Sequence, residues 1–233
     1  MGVELSVVVP AYDEAARVAP GLRRAAEYLR GRGLAHELLV VDDGSRDATA
    51  EVAAAAGARV LRHDRNRGKG AAVRTGVLAS AGAMVLLSDA DFSTPIEEIE
   101  KLEPHLREAD LVVGSRALAD SVITVRQPIY RELMGKTFNL LVRGLGVRGL
   151  HDTQCGFKLA RGETARGLCA QLTVTGFAYD VELIWLALAR GLRVAEVGVV
   201  WANSPDSRVH PVRSSLGMIR DVLRMRWRHR GGR

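Results

Sequence analysis

Only two cysteines occur in the 233 residues, Cys155 and Cys169, and their spacing matches neither a zinc site nor a redox pair. Reduced thiols in a cytosolic protein are therefore expected. No apolar run approaches the roughly 18–20 residues that a helix needs to cross a bilayer, so membrane contact is expected to be peripheral. No secretory leader is read at the start, where the chain runs almost directly into a strand. There is no internal repeat or low-complexity segment, and no pair of the scattered histidines has metal-site spacing. Two nucleotide signatures are missing as well. Asn66-Arg67-Gly68-Lys69-Gly70 lacks the upstream glycine spacing and the hydroxyl after lysine of a P-loop. The first strand ends in Ala11-Tyr12-Asp13-Glu14-Ala15 without G-x-G-x-x-G, which speaks against a dinucleotide-dependent dehydrogenase.

Acidic charge is scarce at one end. The net charge is +6, and between Arg213 and Arg233 seven arginines face a single acid, Asp221, so that tail accounts for the whole excess. The remainder is near neutral, which argues against a broad nucleic-acid surface and leaves a membrane or a phosphorylated substrate as the anionic partner. With 47% hydrophobic and 26% charged residues, the chain can bury one sizeable core.

Apolar patterning predicts strands at Glu4–Pro10, His36–Val41, Arg59–His63, Ala83–Ser88, Leu111–Ser115 and Arg193–Trp201. Helices are expected at Glu14–Arg30, Asp47–Ala56, Lys69–Ser80, Pro95–Leu106, Leu133–Leu145, Tyr179–Arg190 and Ser214–Arg228. Strands alternating with helices imply an α/β fold with a mostly parallel sheet and right-handed crossovers. Such sheets bind ligands beyond the carboxyl ends of their strands, so the polar residues after each strand are the ones to inspect.

Asp89 and Asp91 follow the apolar run Met84–Leu87. Two hard oxygen ligands there suit Mg²⁺ or Mn²⁺ with positions left open for diphosphate oxygens, although acidic pairs are also common at solvated turns. Asp42-Asp43-Gly44-Ser45 reads either as a turn with an N-cap at Ser45 or Asp47, or as a place where Asp42 accepts a hydrogen bond from a base or ribose. Tyr12 suits packing on a base and Glu14 a place near the ribose, with helix capping by Asp13 as the other reading. The glycines around Lys69 either let the backbone approach a phosphate at a helix N-terminus or serve close packing. Cys155, beside Gly156, reads as a small buried residue, and His151 as a solvated loop histidine.

Seven segments in order carry a resemblance: VVVPAYDE (Val7–Glu14), VVDDGSRDAT (Val40–Thr49), NRGKGAAVRTG (Asn66–Gly76), SDADFSTP (Ser88–Pro95), GSR (Gly114–Arg116), DTQCGFKL (Asp152–Leu159) and GFAYDVELIWLA (Gly176–Ala187). Together they resemble the inverting glycosyltransferase family 2 with the GT-A fold. The later motifs look like its dolichyl-phosphate β-glucosyltransferase branch, close to the polyprenyl-phosphate mannosyltransferases. The resemblance implies a Rossmann-like sheet with a nucleotide-sugar half at 1–115, a smaller acceptor half at 116–210, and a basic amphipathic tail at 211–233. It implies UDP-glucose as donor, a polyprenyl phosphate as acceptor, and action at the cytoplasmic, inner face of a membrane. Pro10, Ala11, Tyr12, Glu14, Asp42, Lys69, Asp89, Ala90 and Asp91 would hold the nucleotide. Asp89 and Asp91 would also hold the metal. Arg116 and Arg131 match positions that hold the acceptor phosphate. In the mannosyltransferase branch a glutamine commonly follows the second Asp by two residues; here Ser93 stands there, so water or a hydroxyl would complete the metal shell.

A phosphate monoester with a second pKa near about 6 is already a nucleophile at neutral pH and needs cations rather than a strong base. Arg116, Arg131 and Lys158 are the candidates. Asp91, Asp152 and Asp180 are the candidate catalytic carboxylates around an oxocarbenium-like centre, with Asp180 at a helix start expected mostly to position groups. On the last helix Leu216, Ile219, Val222 and Leu223 form an apolar stripe, widened by Met218 and Met225. Arg220, Arg224 and Arg228 run beside it, and Trp227 lies at the border. That pattern suits either an anionic membrane interface or docking on the core. The competing functions are a relative using GDP-mannose, a relative with a soluble phosphate acceptor, and a nucleotide-binding protein without turnover.

Overall fold

The computed structural model describes residues 2–125, 147, 149–202 and 211–229, with side chains from 217 onward in the last stretch. The expected helix Leu133–Leu145 and Arg131 lie outside the described residues.

β1 (Leu5–Ala11) is buried along its whole length, as a strand covered on both faces must be. It pairs in parallel with β2 (His36–Asp42) on one side and β4 (Met84–Leu87) on the other, and β3 (Arg59–Arg62) extends the sheet beyond β2. The helices α1 (Val18–Gly31), α2 (Thr49–Ala55) and α3 (Lys69–Ala79) make the crossovers. β5 is Leu111–Ser115.

Several expectations need correction. α1 begins at Val18 rather than Glu14, and the Glu14 N–H donates to Thr49 Oγ1 at 2.8 Å in the turn before it. Residues expected as one helix over Pro95–Leu106 form a short α4 (Ile99–Leu102) between two 3₁₀ turns, Ile96–Glu98 and Glu103–Arg107. Pro104 has no N–H to give to an α-helical bond there. Two strands and a helix were not expected: β6 (Val122–Val125), β7 (Lys158–Arg161) and α5 (Gly162–Cys169). The late strand is split into β8 (Val194–Gly198) and β9 (Val200–Ala202).

The main sheet has seven strands in the order β3-β2-β1-β4-β7-β5-β8. β7 runs antiparallel to both β4 and β5, and every other pair is parallel. β6 and β9 form a separate parallel pair. One face of the sheet packs with α1 around Val9, Leu22 and Leu86; the other packs with α3, α6 (Tyr179–Ala189) and α7 (Pro211–Arg228) around Val8, Val73 and Ile184. Among the described residues no helix is long and apolar enough to cross a membrane.

Candidate active site

The turns that follow β1, β2 and β4 are tied to one another. Asp13 sits at a left-handed φ of 53°, unusual for a residue with a side chain. Its N–H donates to Ser45 Oγ at 2.9 Å, and its Oδ1 accepts from Arg46 N at 2.8 Å. Asp13 thus braces the turn after β2 and does not cap α1. Pro10 and Ala11 end β1 as buried residues, and Tyr12 follows half-buried. The Glu14 carboxylate is engaged by Arg17 at 2.7 Å.

Asp42 is fully buried. Its Oδ1 accepts from Ser45 N at 2.9 Å, while its Oδ2 makes no hydrogen bond, with Arg62 Nε 3.1 Å away but off the bonding direction. Neither Ser45 nor Asp47 caps α2. Ala48 holds that position without a side-chain bond, and Asp47 Oδ1 accepts from Thr49 N at 3.0 Å one residue further on. The neighbouring Asp43 holds the loop that leads to α3: Oδ1 accepts from His63 Nδ1 at 2.6 Å and Arg67 N at 2.9 Å, and Oδ2 from Gly68 N at 2.8 Å. Gly68 has φ 101°, and a Cβ there would overlap the Thr175 carbonyl. A Cβ at Gly70 would overlap the Val174 carbonyl. Both glycines therefore serve close packing of α3 against the 173–176 loop.

After β4 the Phe92 N–H donates to the Asp89 carbonyl at 3.0 Å and closes a tight turn. Phe92 also has a left-handed φ, 46°, and its ring occupies the space over Gly21 of α1 that any side chain there would fill. Among the described residues, the two left-handed ones other than glycine thus sit at two of the strand-end turns under inspection, and backbone strain commonly concentrates at functional sites. Asp91 Oδ1 accepts from Ser93 N at 3.0 Å and Ala90 is buried. Asp89 lies against Gly156, where a Cβ would collide with its whole carboxylate.

Around Asp89 the structure gathers three ion pairs. Lys69 Nζ is 2.6 Å from Asp89 Oδ1. Lys158 donates to Asp180 and to the Cys155 carbonyl, and both side chains are buried. Arg116 grips Asp152 through Nε at 2.6 Å and Nη2 at 2.9 Å, while its backbone N–H adds a third bond at 3.1 Å. Burial pushes the Asp89 carboxyl up, but Lys69, with Lys158 and Arg116 behind it, outweighs this and holds it below the ordinary value. Asp152 is likewise raised by burial and brought below the ordinary value by Arg116. Lys69 is lowered by burial, and Asp89, Asp180 and Asp91 more than reverse this. The three pairs and Asp91 share one field. Burial raises the Cys155 thiol to about 11, the state of an inert buried cysteine.

The sequence-predicted residues thus divide. Lys69, Asp89, Arg116, Asp152, Lys158 and Asp180 come together. Asp152 and Asp180 are each taken by a cation, and Lys158 is held inside the protein rather than out at the surface. His151 is exposed, with Glu196 Oε2 3.1 Å from its Nδ1. Sequence reasoning missed Asp43, His63, Gly156 and Glu196, whose carboxylate accepts from Asp152 N at 2.7 Å. Adjacent acids in DDGS hinted at Asp43; nothing local marks Glu196, which lies 44 residues from its partner.

Two features suit a nucleotide with a divalent cation: the Gly156 cradle, which keeps the Asp89 carboxylate in place, and Asp42 Oδ2, which has an ion-pair neighbour in Arg62 but no hydrogen bond and so keeps acceptor capacity for a base N–H. Among the described residues no group of three or more His, Cys, Asp or Glu gathers to hold a metal. A cation held by Asp89 and Asp91 would draw its other oxygens from diphosphate and water.

Residues 6–162 match the model of Glycosyl transferase family 2. The chain belongs to this family. Among curated family 2 relatives, dolichyl-phosphate beta-glucosyltransferase of Dictyostelium discoideum is 35% identical over 97% of this chain and 75% of its own length. The Mus musculus protein of that name is 37% identical, over 98% and 76%. The same fold is seen in glucosyl-3-phosphoglycerate synthase from Mycobacterium tuberculosis in complex with Mn2+, UDP-glucose and phosphoglyceric acid. That structure is 22% identical with TM-score 0.76, covering 96% of this chain and 80% of that one. Mannosyl-3-phosphoglycerate synthase from Rubrobacter xylanophilus gives 22%, TM-score 0.74, and coverage of 98% and 75%. The GT-A architecture implied by the motifs is the one the chain adopts.

Proposed function

We propose that this family 2 member moves glucose from UDP-glucose onto a polyprenyl phosphate of the dolichyl type, with inversion, at the inner face of a membrane. The observation that carries the reading is the cluster at the end of β4: Asp89 in its Gly156 cradle, Asp91 two residues on, Lys69 on Asp89, and Arg116 on the neighbouring acceptor side. The names of relatives at 35% and 37% identity over nearly the whole chain support the sugar and the lipid. Residues 1–115 supply the donor half, 116–210 the acceptor half and 211–233 the tail.

Asp42 Oδ2 accepts from the base, and Tyr12 packs beside it, with Pro10, Ala11 and Glu14 lining the nucleotide. Asp89 and Asp91 would hold Mg²⁺ or Mn²⁺, and the cation would supply positive charge to the departing diphosphate. Glucosyl-3-phosphoglycerate synthase from Mycobacterium tuberculosis is seen in complex with Mn2+ and UDP-glucose, which supports a divalent cation of this kind. Lys69 turns to the diphosphate oxygens. Arg116 presents a planar fork to the acceptor phosphate, with Asp152 fixing its plane, and Arg131 joins it. The phosphate oxygen attacks the anomeric carbon as the C–O bond to diphosphate breaks on the opposite face. Charge and proton count balance without a strong base, because the attacking phosphate is already deprotonated. Asp180, locked to Lys158, positions the cluster and takes no proton.

The tail offers a membrane-facing surface. Val222 and Met225 are buried against the core, while Leu223 and Trp227 are 52% and 73% exposed one turn apart, beside exposed Arg220, Arg224 and Arg228. Docking and membrane contact thus use different faces of one helix. The test is to incubate the protein with Mn²⁺, a panel of UDP- and GDP-sugars, and either a short polyprenyl phosphate or 3-phosphoglycerate, and to weigh the products. A β-linked glucosyl lipid phosphate is expected. Transfer to 3-phosphoglycerate alone would overturn the lipid acceptor, and nucleotide binding without any product would overturn the enzyme.

A further inference from the structure

Glu182 belongs to none of the strand-end motifs, and it is fully buried on α6. A buried carboxylate is costly unless its oxygens are filled, and here four donors fill them. Thr173 N at 2.9 Å and Val174 N at 2.7 Å donate to Oε2; Thr173 Oγ1 at 2.7 Å and His229 Nε2 at 2.8 Å donate to Oε1. The last donor comes from the end of α7, where the His229 ring also rests on Trp185 with centroids 5.0 Å apart.

The loop that Glu182 fixes reaches the donor side directly. The Thr175 carbonyl accepts from Gly70 N at 2.8 Å and from Ala71 N at 3.2 Å, so it caps two of the open N–H groups at the start of α3. Lys69 is the first residue of that helix, and its ammonium lies 5.8 Å from the Tyr179 ring centroid on the way to Asp89. α7 touches the site loops at two more points. Gln154 Nε2 lies 3.2 Å from Met218 Sδ, and Asp221 Oδ2 lies 3.3 Å from where a Cβ on Gly176 would stand.

We infer that Glu182 is a positioning residue through which the C-terminal helix, by way of His229, holds the 173–175 loop and with it the start of α3 and Lys69. The consequence for donor binding rests on the assignment of Lys69 to the diphosphate. The tail then has two separable roles. Its outward face carries the exposed arginines and Trp227, and its inward face is a buttress of the donor site.

Hydrogen exchange read by mass spectrometry, with UDP titration in Mn²⁺, tests this on the full chain. In E182A the amides of Gly70, Ala71, Thr173 and Val174 are expected to exchange at least tenfold faster, while β1 and β2 stay protected. UDP should bind about tenfold more weakly. E182Q, which keeps an acceptor for both backbone N–H groups, should restore most of the protection. H229A, which removes one donor of four and leaves the carboxylate in place, should give the same pattern at smaller size and guards against a misfolded E182A. Unchanged exchange at Gly70 and Ala71 in folded E182A and H229A would overturn the inference. Faster exchange with unchanged UDP affinity would leave the clasp standing and sink the assignment of Lys69 to the donor.

Discussion

The Lys69 ammonium lies 2.6 Å from Asp89 Oδ1, so an internal cation neutralises the first acid of the Asp89-x-Asp91 pair. On the proposed donor assignment a diphosphate would offer that lysine a second anion, and the lysine's departure would free the carboxylate for a metal. K69M should therefore bind Mn²⁺ more tightly than wild type without nucleotide and bind UDP more weakly with it. A charge-assisted hydrogen bond contributes about 1.5–3 kcal/mol, so shifts of roughly ten- to a hundredfold are expected. Electron paramagnetic resonance of Mn²⁺ reads the first and calorimetry the second. Weaker Mn²⁺ binding by K69M alone would contradict the exchange.

Gly156 is glycine because Asp89 occupies the place of its side chain. G156A should fold, since the displaced group is a partly exposed carboxylate at the end of the sheet, but it should cut kcat at least tenfold with a raised Mn²⁺ requirement. Full activity at the wild-type Mn²⁺ concentration would show that Asp89 needs no such cradle.

Asp152 titrates below the ordinary aspartate value in the folded protein, because Arg116 outweighs burial. The folded state therefore binds this proton less readily than the unfolded chain. Its contribution to stability is complete above about 3.9, the unfolded value, and is lost as pH falls through the lower folded value. In D152N the fall in unfolding free energy below about pH 4 should be shallower than in wild type, by at most about 1.4 kcal/mol per pH unit. Urea melts at several acid pH values check this, and parallel slopes would contradict it.

Much of the donor side was legible in the sequence. Leu5–Ala11 and His36–Asp42 are largely apolar segments, with Asp13 two residues beyond the first and Asp42 closing the second, and parallel topology sends such acids to the binding edge. The acceptor side was harder to read. β7 is four residues long and starts with Lys158, a residue that strand patterning discounts, yet it lies between β4 and β5 in the sheet. Its ammonium is tolerated there because Asp180, 22 residues away, meets it. The partners of Asp43 and Glu196, and the His229 partner of Glu182, are likewise set by the tertiary fold, which no local window contains. The amphipathic tail was legible as a pattern, but which apolar residues dock and which stay outside required the positions of α6 and the sheet.

The outward face of α7 should be dispensable for chemistry and needed at the bilayer. Replacing Arg220, Arg224 and Arg228 by glutamine should weaken binding to anionic liposomes at low salt by about 1 kcal/mol per arginine near the surface. Turnover of a short, water-soluble polyprenyl phosphate should stay within about twofold, an outcome of removing charges that lie outside the site. Vesicle sedimentation measures the first. Unchanged sedimentation would remove the tail from membrane contact.

The most direct measurement is made on the acidic pair at the end of β4. In D89A/D91A, Mn²⁺ binding in the presence of UDP should fall below detection, and glucosyl transfer should drop by at least a thousandfold, as loss of metal-supported charge stabilisation requires. The protein should keep its fold, since α1, β1 and β2 pack without either side chain. Wild-type ion affinity together with wild-type turnover in that variant would contradict the account.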